Sequence, residues 1–404
     1  MKIGILTFHR AYNYGAFLQC YALMCSLQSQ GHYVEVIDFT PSYLMDGYKK
    51  IRLFEKKRIE TNNQLLFFIK DTLYKIINWN YIKSRNAFEI IRNHSIDSSI
   101  GILNLSEEGV ISDELEVFQR QVANKYDAII VGSDAVWNDY QTQCPYVYYL
   151  ENVDCKYKIS FSASAYGMSY ERKTDNQLNR IKTDLLEFDL LSCRDSYTEK
   201  YISNLLGKDI FHVCDPTLLL DIKKFSKYKD AGKNKLENAG VNFEKKLIFL
   251  MGDNKLGKEL RKNIDSNDYM IIGVYNYNKY ADVNVSELNP LEWAAVFPFF
   301  DFTVTTYFHC TIFSLLNGVP TIAVDKRTDF SSVHKSKIRD LLERLNLMES
   351  YLSSDDISVK LPEVLESIMK SSDIEVWRKK VINSIDAERE SALAYIQLIG
   401  KLEG

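Results

Sequence analysis

Short apolar runs rich in β-branched residues recur along this chain between stretches whose apolar positions fall at helical spacing. Ile3–Phe8, Val34–Phe39, Ala128–Val131, Lys158–Ser162, Leu190–Cys193 and Ile210–Cys214 read as strands. Between the first two, Ala16 to Gln30 has helical spacing and stops before Gly31. A second series follows, with strands at Leu247–Met251, Met270–Val274, Phe302–Thr306 and Thr321–Val324. Strands alternating with helices predict an α/β fold whose parallel sheets are covered on both faces. Asp221 to Lys246 is charged, contains Gly232 and Gly240, lacks long apolar runs and reads as a linker. From about Asp373 to Leu402 the pattern is helical again. The expected division is 1–221, a linker at 222–246, 247–370, and a helical segment at 371–404.

Parallel sheets bind ligands in the crevice at the carboxyl ends of their strands. Polar residues gather at those ends: His9 and Asn13, Ser133 and Asp134, Ser162 and Ser164, Arg194, Asp215. In the segment Asp301 to Val324, Thr311 to Leu316 has helical spacing and Gly318 is placed to end that helix. His309, Cys310 and Thr311 would stand at its N-terminus, where free N–H groups and the helix dipole attract an anion such as phosphate. A protonated His309 would add a charge to such a site.

The run Tyr307-Phe-His-Cys-Thr311 before an apolar helix resembles the C-terminal signature of the polysaccharide pyruvyltransferase family, where Ser-Phe-His-Gly-Thr is usual. The opening from Lys2 to Ala16, with Leu18-Gln19 and Tyr21-Ala22-Leu23, resembles the start of that family. Val131 to Asn138, Ser192 to Asp195 and Asp215 to Leu219 fit its middle blocks. The resemblance implies two Rossmann-like domains facing a cleft, similar to the GT-B glycosyltransferase fold, with the acceptor on the first domain and the donor on the second. It also implies a metal-independent activity without a cofactor, in which phosphoenolpyruvate is co-substrate and a sugar or lipid-linked glycan precursor of a bacterial capsule or exopolysaccharide is acceptor. The product would be a pyruvate ketal. Tyr307 and Cys310 depart from the family's serine and glycine, and loss of that glycine restricts the backbone's approach to phosphate.

Such a reaction needs cations for an anionic donor, an acid for the methylene carbon and a base for the attacking hydroxyl. Arg194, ending an apolar strand, can pair with carboxylate or phosphate, or else with Asp195 or Asp215. His309 can bind phosphate or protonate the leaving oxygen. Lys326 and Arg327 either close over the donor or are solvated loop charges. On the acceptor side stand His9, Asn13, Tyr14, Ser133, Asp134, Trp137 and Asn138. Asp134 reads as a hydroxyl base or a helix N-cap, Trp137 as a sugar platform or a core aromatic. Asp215, before Pro216, reads as a turn-fixing residue. Two rival readings are a glycosyltransferase using a nucleotide-sugar donor and a non-catalytic glycan-assembly protein.

Composition narrows the field. At 404 residues and a net charge of −4, the chain lacks the basic field of a nucleic-acid binder. Its seven cysteines show no Cys-x-x-Cys pair, which fits reduced thiols in the cytoplasm, and no metal-binding motif is present. The stretch 49–94 is an exception, with 11 Lys and Arg against 4 acidic residues and interleaved apolar positions. It reads either as a weak contact with the inner face of the cell membrane or, the preferred reading, as a helical insertion whose apolar face packs on the first domain.

Overall fold

A computed structural model of the chain describes residues 1–42, 44, 64–138, 145–166, 173–325, 335–370 and 374–402. The strands are β1 (Lys2–Leu6), β2 (Tyr33–Val36), β3 (Phe39–Thr40), β4 (Val110–Ile111), β5 (Ala128–Val131), β6 (Tyr157–Ser160), β7 (Ser192–Cys193) and β8 (Phe211–His212) in the first half. The second half holds β9 (Lys246–Met251), β10 (Tyr269–Val274), β11 (Val283–Val285), β12 (Phe302–Thr305), β13 (Thr321–Asp325) and β14 (Tyr351–Ser353). One sheet has the order β2-β1-β5-β6, and the bridges Ile159–Leu190 and Ala163–Cys193 attach the β7-β8 pair to its edge. The other has the order β11-β10-β9-β12-β13-β14. All pairings are parallel, and β5 is buried at every residue, as strands covered on both faces must be.

The helices are α1 (Tyr14–Gln28), α2 (Gln64–Ile77), α3 (Trp79–Asp97), α4 (Leu115–Val122), α5 (Asp175–Leu186), α6 (Ser196–Leu206), α7 (Ser226–Asn238), α8 (Asn254–Lys262), α9 (Pro290–Ala295), α10 (Phe308–Leu316), α11 (Lys337–Arg344), α12 (Ile357–Lys370) and α13 (Ile374–Lys401). Helix α1 is buried from Tyr14 through Cys20, apolar on all sides rather than striped. It lies between the halves, touching β2 on one side and α9 on the other. The Tyr14 hydroxyl donates to the Leu288 carbonyl (2.9 Å) and its ring stacks on Trp293. A single apolar cluster accordingly includes Ile3 and Ile5 of β1 together with Phe249 and Met251 of β9.

The stretch 222–246, read as a linker, carries helix α7. Only Gly232 and Leu236 of that helix are buried, which is why its sequence shows no apolar stripe. It is held to α9 by Gly232, where a Cβ would stand 2.5 Å from Val296, and by the Lys235–Glu292 ion pair (2.7 Å). Helix α13 runs back over both halves. Arg378 donates to the Gly318 carbonyl (3.0 Å) in the second half, and the Tyr395 hydroxyl donates to the Ser160 carbonyl (2.8 Å) in the first.

The basic insertion does not pack as preferred above. Helix α3 lies on the loop that follows β10, with Phe88 and Tyr81 against Tyr277 and the Arg92 guanidinium donating to the Tyr275 carbonyl (2.8 Å). Phe68, Ile69, Leu73, Ile76 and Ile77 of α2 face outward, not onto the first sheet. No described helix is long and apolar enough to cross a membrane.

Candidate functional site

The carboxyl ends of the two sheets converge on a cavity of about 170 Å3 lined by Asn13, Gly15, Asp134, Arg194 and, from the second half, Met251, Trp293, Thr306–His309 and Lys337. Asn13 enters by capping α1: its side-chain oxygen accepts the N–H groups of Gly15 (2.8 Å) and Ala16 (3.3 Å). Gly15 lies against the His309 ring, and a Cβ on Gly15 would stand 2.0 Å from His309 Nδ1. A glycine is required here by contact between the halves, a reason the local sequence does not reveal.

Arg194 projects from the end of β7 and is 2% exposed. Its Nη1 donates to Asp215 (2.6 Å) and Ser133 (3.3 Å), its Nη2 donates to Asp134 (3.0 Å), and the guanidinium lies 5.1 Å from the Phe308 ring centre. Its Nε is buried with no hydrogen-bond partner among the described residues. Burial favours protonation of Asp134, but Arg194, Lys337 and His309 outweigh it and keep the carboxyl below its ordinary range. Asp134 sits at φ 88°, in left-handed backbone, three residues past the end of β5, and its Oδ1 also accepts the Ala135 N–H (2.8 Å).

Asp215 has the turn-fixing role expected: its Oδ1 accepts the Thr217 N–H (3.0 Å) and hydroxyl (2.6 Å). Its Oδ2 does something more, receiving Arg194 and the Ser133 hydroxyl (3.2 Å) and lying 3.6 Å from His309 Nε2. Despite complete burial, His309 and Arg194 hold Asp215 far below the usual carboxylate range. The 3.6 Å separation is longer than a hydrogen bond, and His309 Nε2, like Arg194 Nε, is a buried atom without a partner among the described residues.

Helix α10 starts at Phe308, not Thr311. The Thr311 N–H is already bonded to the Tyr307 carbonyl (3.1 Å), so the open N–H groups belong to Phe308, His309 and Cys310. Cys310 and Thr311 are themselves fully buried. Thr311 donates its hydroxyl to Tyr307 (3.1 Å), and burial pushes the Cys310 thiol up to about 12, which leaves no nucleophile there. Tyr307 receives the Asn276 amide on its hydroxyl (2.5 Å) and packs edge-on against Tyr275.

Three residues read as acceptor contacts lie elsewhere. His9 is completely buried between the Thr7 carbonyl (3.1 Å) and Asp38 (3.0 Å). Tyr14 is committed to Leu288 and Trp293. Trp137 is a core aromatic, donating its indole N–H to the Tyr148 carbonyl (3.0 Å) and stacking on Tyr149. Asn138 ends the turn bonded to Ala135 (3.0 Å) and does not line the cavity, while Ser133 lies behind it, under Arg194. Lys326 and Arg327 lie outside the described residues.

Sequence reasoning missed Lys337. It follows the N-cap Ser336, whose hydroxyl accepts the Arg339 N–H (3.0 Å), and this first turn of α11 carries it into the cavity wall. Burial, aided by the charge of Arg194, pushes its ammonium down to about 8. Nothing local marks which lysine of a charged stretch will be enclosed. Among the described residues no group of three or more His, Cys, Asp or Glu is placed to hold a metal ion.

A family model, polysaccharide pyruvyl transferase, matches residues 13–326. The chain belongs to that family. Comparison with curated proteins gives no match. Among solved structures, UDP-GlcNAc 2-epimerase from Methanocaldococcus jannaschii aligns at TM-score 0.51 and 12% identity, over 92% of this chain and 94% of that one. A putative UDP-N-acetylglucosamine 2-epimerase from Listeria monocytogenes aligns at TM-score 0.52 and 11% identity, over 94% and 90%. At these identities the likeness concerns the fold, which is GT-B-like with two parallel sheets. The family match begins at Asn13 and so takes in every residue named above on the cavity wall except Lys337.

Proposed function

We propose that this chain transfers the pyruvyl group of phosphoenolpyruvate to two hydroxyls of one sugar in a cell-surface polysaccharide or glycolipid precursor. The observation that carries the reading is the pair of buried nitrogens without a hydrogen-bond partner among the described residues, Arg194 Nε and His309 Nε2, beside Lys337 and the N-terminus of α10. Buried polar groups of this kind call for oxygen atoms to pair with. Phosphoenolpyruvate, with about three negative charges at neutral pH, supplies them on a phosphate and a carboxylate. An anion there would also offset the burial and the like charge that depress Lys337.

The reaction balances between donor and acceptor alone. Two acceptor O–H bonds break and two C–O bonds form at the carbon that carried phosphate. The methylene carbon takes one proton to become methyl, the carbon–oxygen bond to phosphate breaks, and phosphate leaves with the other proton. Arg194 and Lys337 hold the donor's anionic groups, and the open N–H groups of α10 take phosphate. His309 passes a proton at Nε2 to the donor, while Asp134, a carboxylate at neutral pH, receives an acceptor hydroxyl. Asn13 offers its amide N–H groups on the same wall.

The test is turnover of purified protein with phosphoenolpyruvate and a panel of glycan precursors, followed by phosphate release and by the mass of the product. Phosphate is expected only when donor and acceptor are both present, with a ketal on the sugar. Turnover of a nucleotide sugar instead, or donor breakdown without acceptor, would overturn the reading.

A further inference from the structure

Away from the cleft, the largest concentration of exposed apolar side chains among the described residues lies on α2 and the start of α3. Phe68, Ile76, Ile77 and Trp79 are between 64 and 78% exposed, with Ile69 and Leu73 completing the stripe at helical spacing. Large contiguous apolar surface on a folded protein marks an interaction site. Among the described residues α2 packs on α3, and α3 in turn rests on the Tyr275–Tyr277 loop whose Tyr275 ring meets Tyr307 of the cavity.

Charge says what covers this stripe. Residues 64–94, along α2 and α3, carry five Lys and Arg against two acidic residues, a net of three positive charges within a chain of net charge −4, so the remaining residues carry −7. Lys70 and Lys83 flank the stripe in exposed positions, and Lys75 stands beside Asp71. A second copy of the chain would bring these like charges together, which opposes pairing of two stripes. An anionic lipid surface meets both demands at once: its headgroups attract the lysines, and its interfacial region accepts the apolar stripe, with Trp79 of the type favoured at that depth.

We infer that α2 and the first turns of α3 dock this protein on an anionic membrane surface, with α2 lying in the interface plane. The contact is peripheral, and it puts the lipid one helical hairpin from the cleft. Binding needs neither donor nor acceptor, so it stands or falls independently of pyruvyl transfer.

Cosedimentation of the full chain with vesicles tests the assignment. Binding is expected to vesicles containing phosphatidylglycerol, not to phosphatidylcholine alone, and to weaken as salt is raised. Lys70→Ala and Lys83→Ala should each weaken it about fivefold. The Ile76→Asp, Ile77→Asp double variant should abolish it while melting like the parent, since both side chains are exposed. Equal binding by parent and variants, or none to anionic vesicles, overturns the inference. So does a concentration-dependent dimer, seen by sedimentation velocity, that the double variant dissolves while vesicles go unbound.

Discussion

Arg194 shows how much one side chain can be asked to do. It separates two carboxylates, buried Asp215 and partly exposed Asp134, while its Nε is buried without a hydrogen-bond partner among the described residues. Arg194→Ala should therefore weaken donor binding and also lower stability by about 3–5 kcal/mol, because it strands the buried Asp215 carboxylate. A thermal melt and a donor titration on the same variant would separate the losses; an unshifted melting temperature contradicts the burial argument. His309→Gln is the cleaner probe of chemistry, since it keeps shape and some hydrogen bonding but carries no titratable proton. Turnover should fall far more than donor affinity, and an equal loss in both would reduce His309 to a binding group. Lys337 adds a pH signature. Its ammonium, pushed down to about 8, is charged below that pH and neutral above it, so donor affinity should fall as pH rises through about 8. Lys337→Arg should flatten that dependence, because guanidinium stays charged; a parent whose donor affinity is level from pH 7 to about 9 would remove Lys337 from the donor site.

At the scale of elements, the site is assembled from the ends of strands and the first turns of helices. The first turn of α1 presents Asn13 and Gly15, β5 and β7 deliver Asp134 and Arg194, and α10 and α11 deliver His309 and Lys337. The contact between the α1 turn and the α10 turn is the tightest constraint. Gly15→Ala places a methyl group 2.0 Å from His309 Nδ1, too close for any rotamer of the ring to remain where it is. The expected result is a large loss of turnover with a modest change in melting temperature, because His309 can move into the cavity. Retention of full activity would mean that the two turns are held apart during catalysis.

Across the whole molecule, the two sheets are not independent bodies joined by a tether. Apolar side chains of β1, α1, β9 and α9 belong to one cluster, and α13, about 42 Å long, spans both halves. Shared core couples their unfolding, so calorimetry should record a single transition for the full chain. Two well-separated transitions would show that the cleft opens at little cost. A His309 ring already resting on Gly15 fits the coupled picture.

The sequence by itself determined the α/β class, most strands to within a few residues, and the grouping of polar residues at strand ends, because period and turn chemistry are local properties. It also determined the family, through ordered motifs, and singled out Asp134, Arg194 and His309, which line one cavity. Which residues then meet was decided by tertiary structure. His9 and Trp137 sit in the same motifs as Asn13 and Asp134, yet Asp38 and Tyr148 claim them for the interior. Asp215 enters the site only because α10 from the other half arrives beside it. Lys337 lies 143 positions from Arg194 in the sequence, and no local pattern marks it. Helix α7 escaped notice because its partner is α9 rather than a sheet, and α2 kept its apolar face outward because α3 was drawn to a loop of the second half. Local patterns specify what each element is; contacts between residues distant in sequence determine which faces are covered and which charges end up in the same cavity.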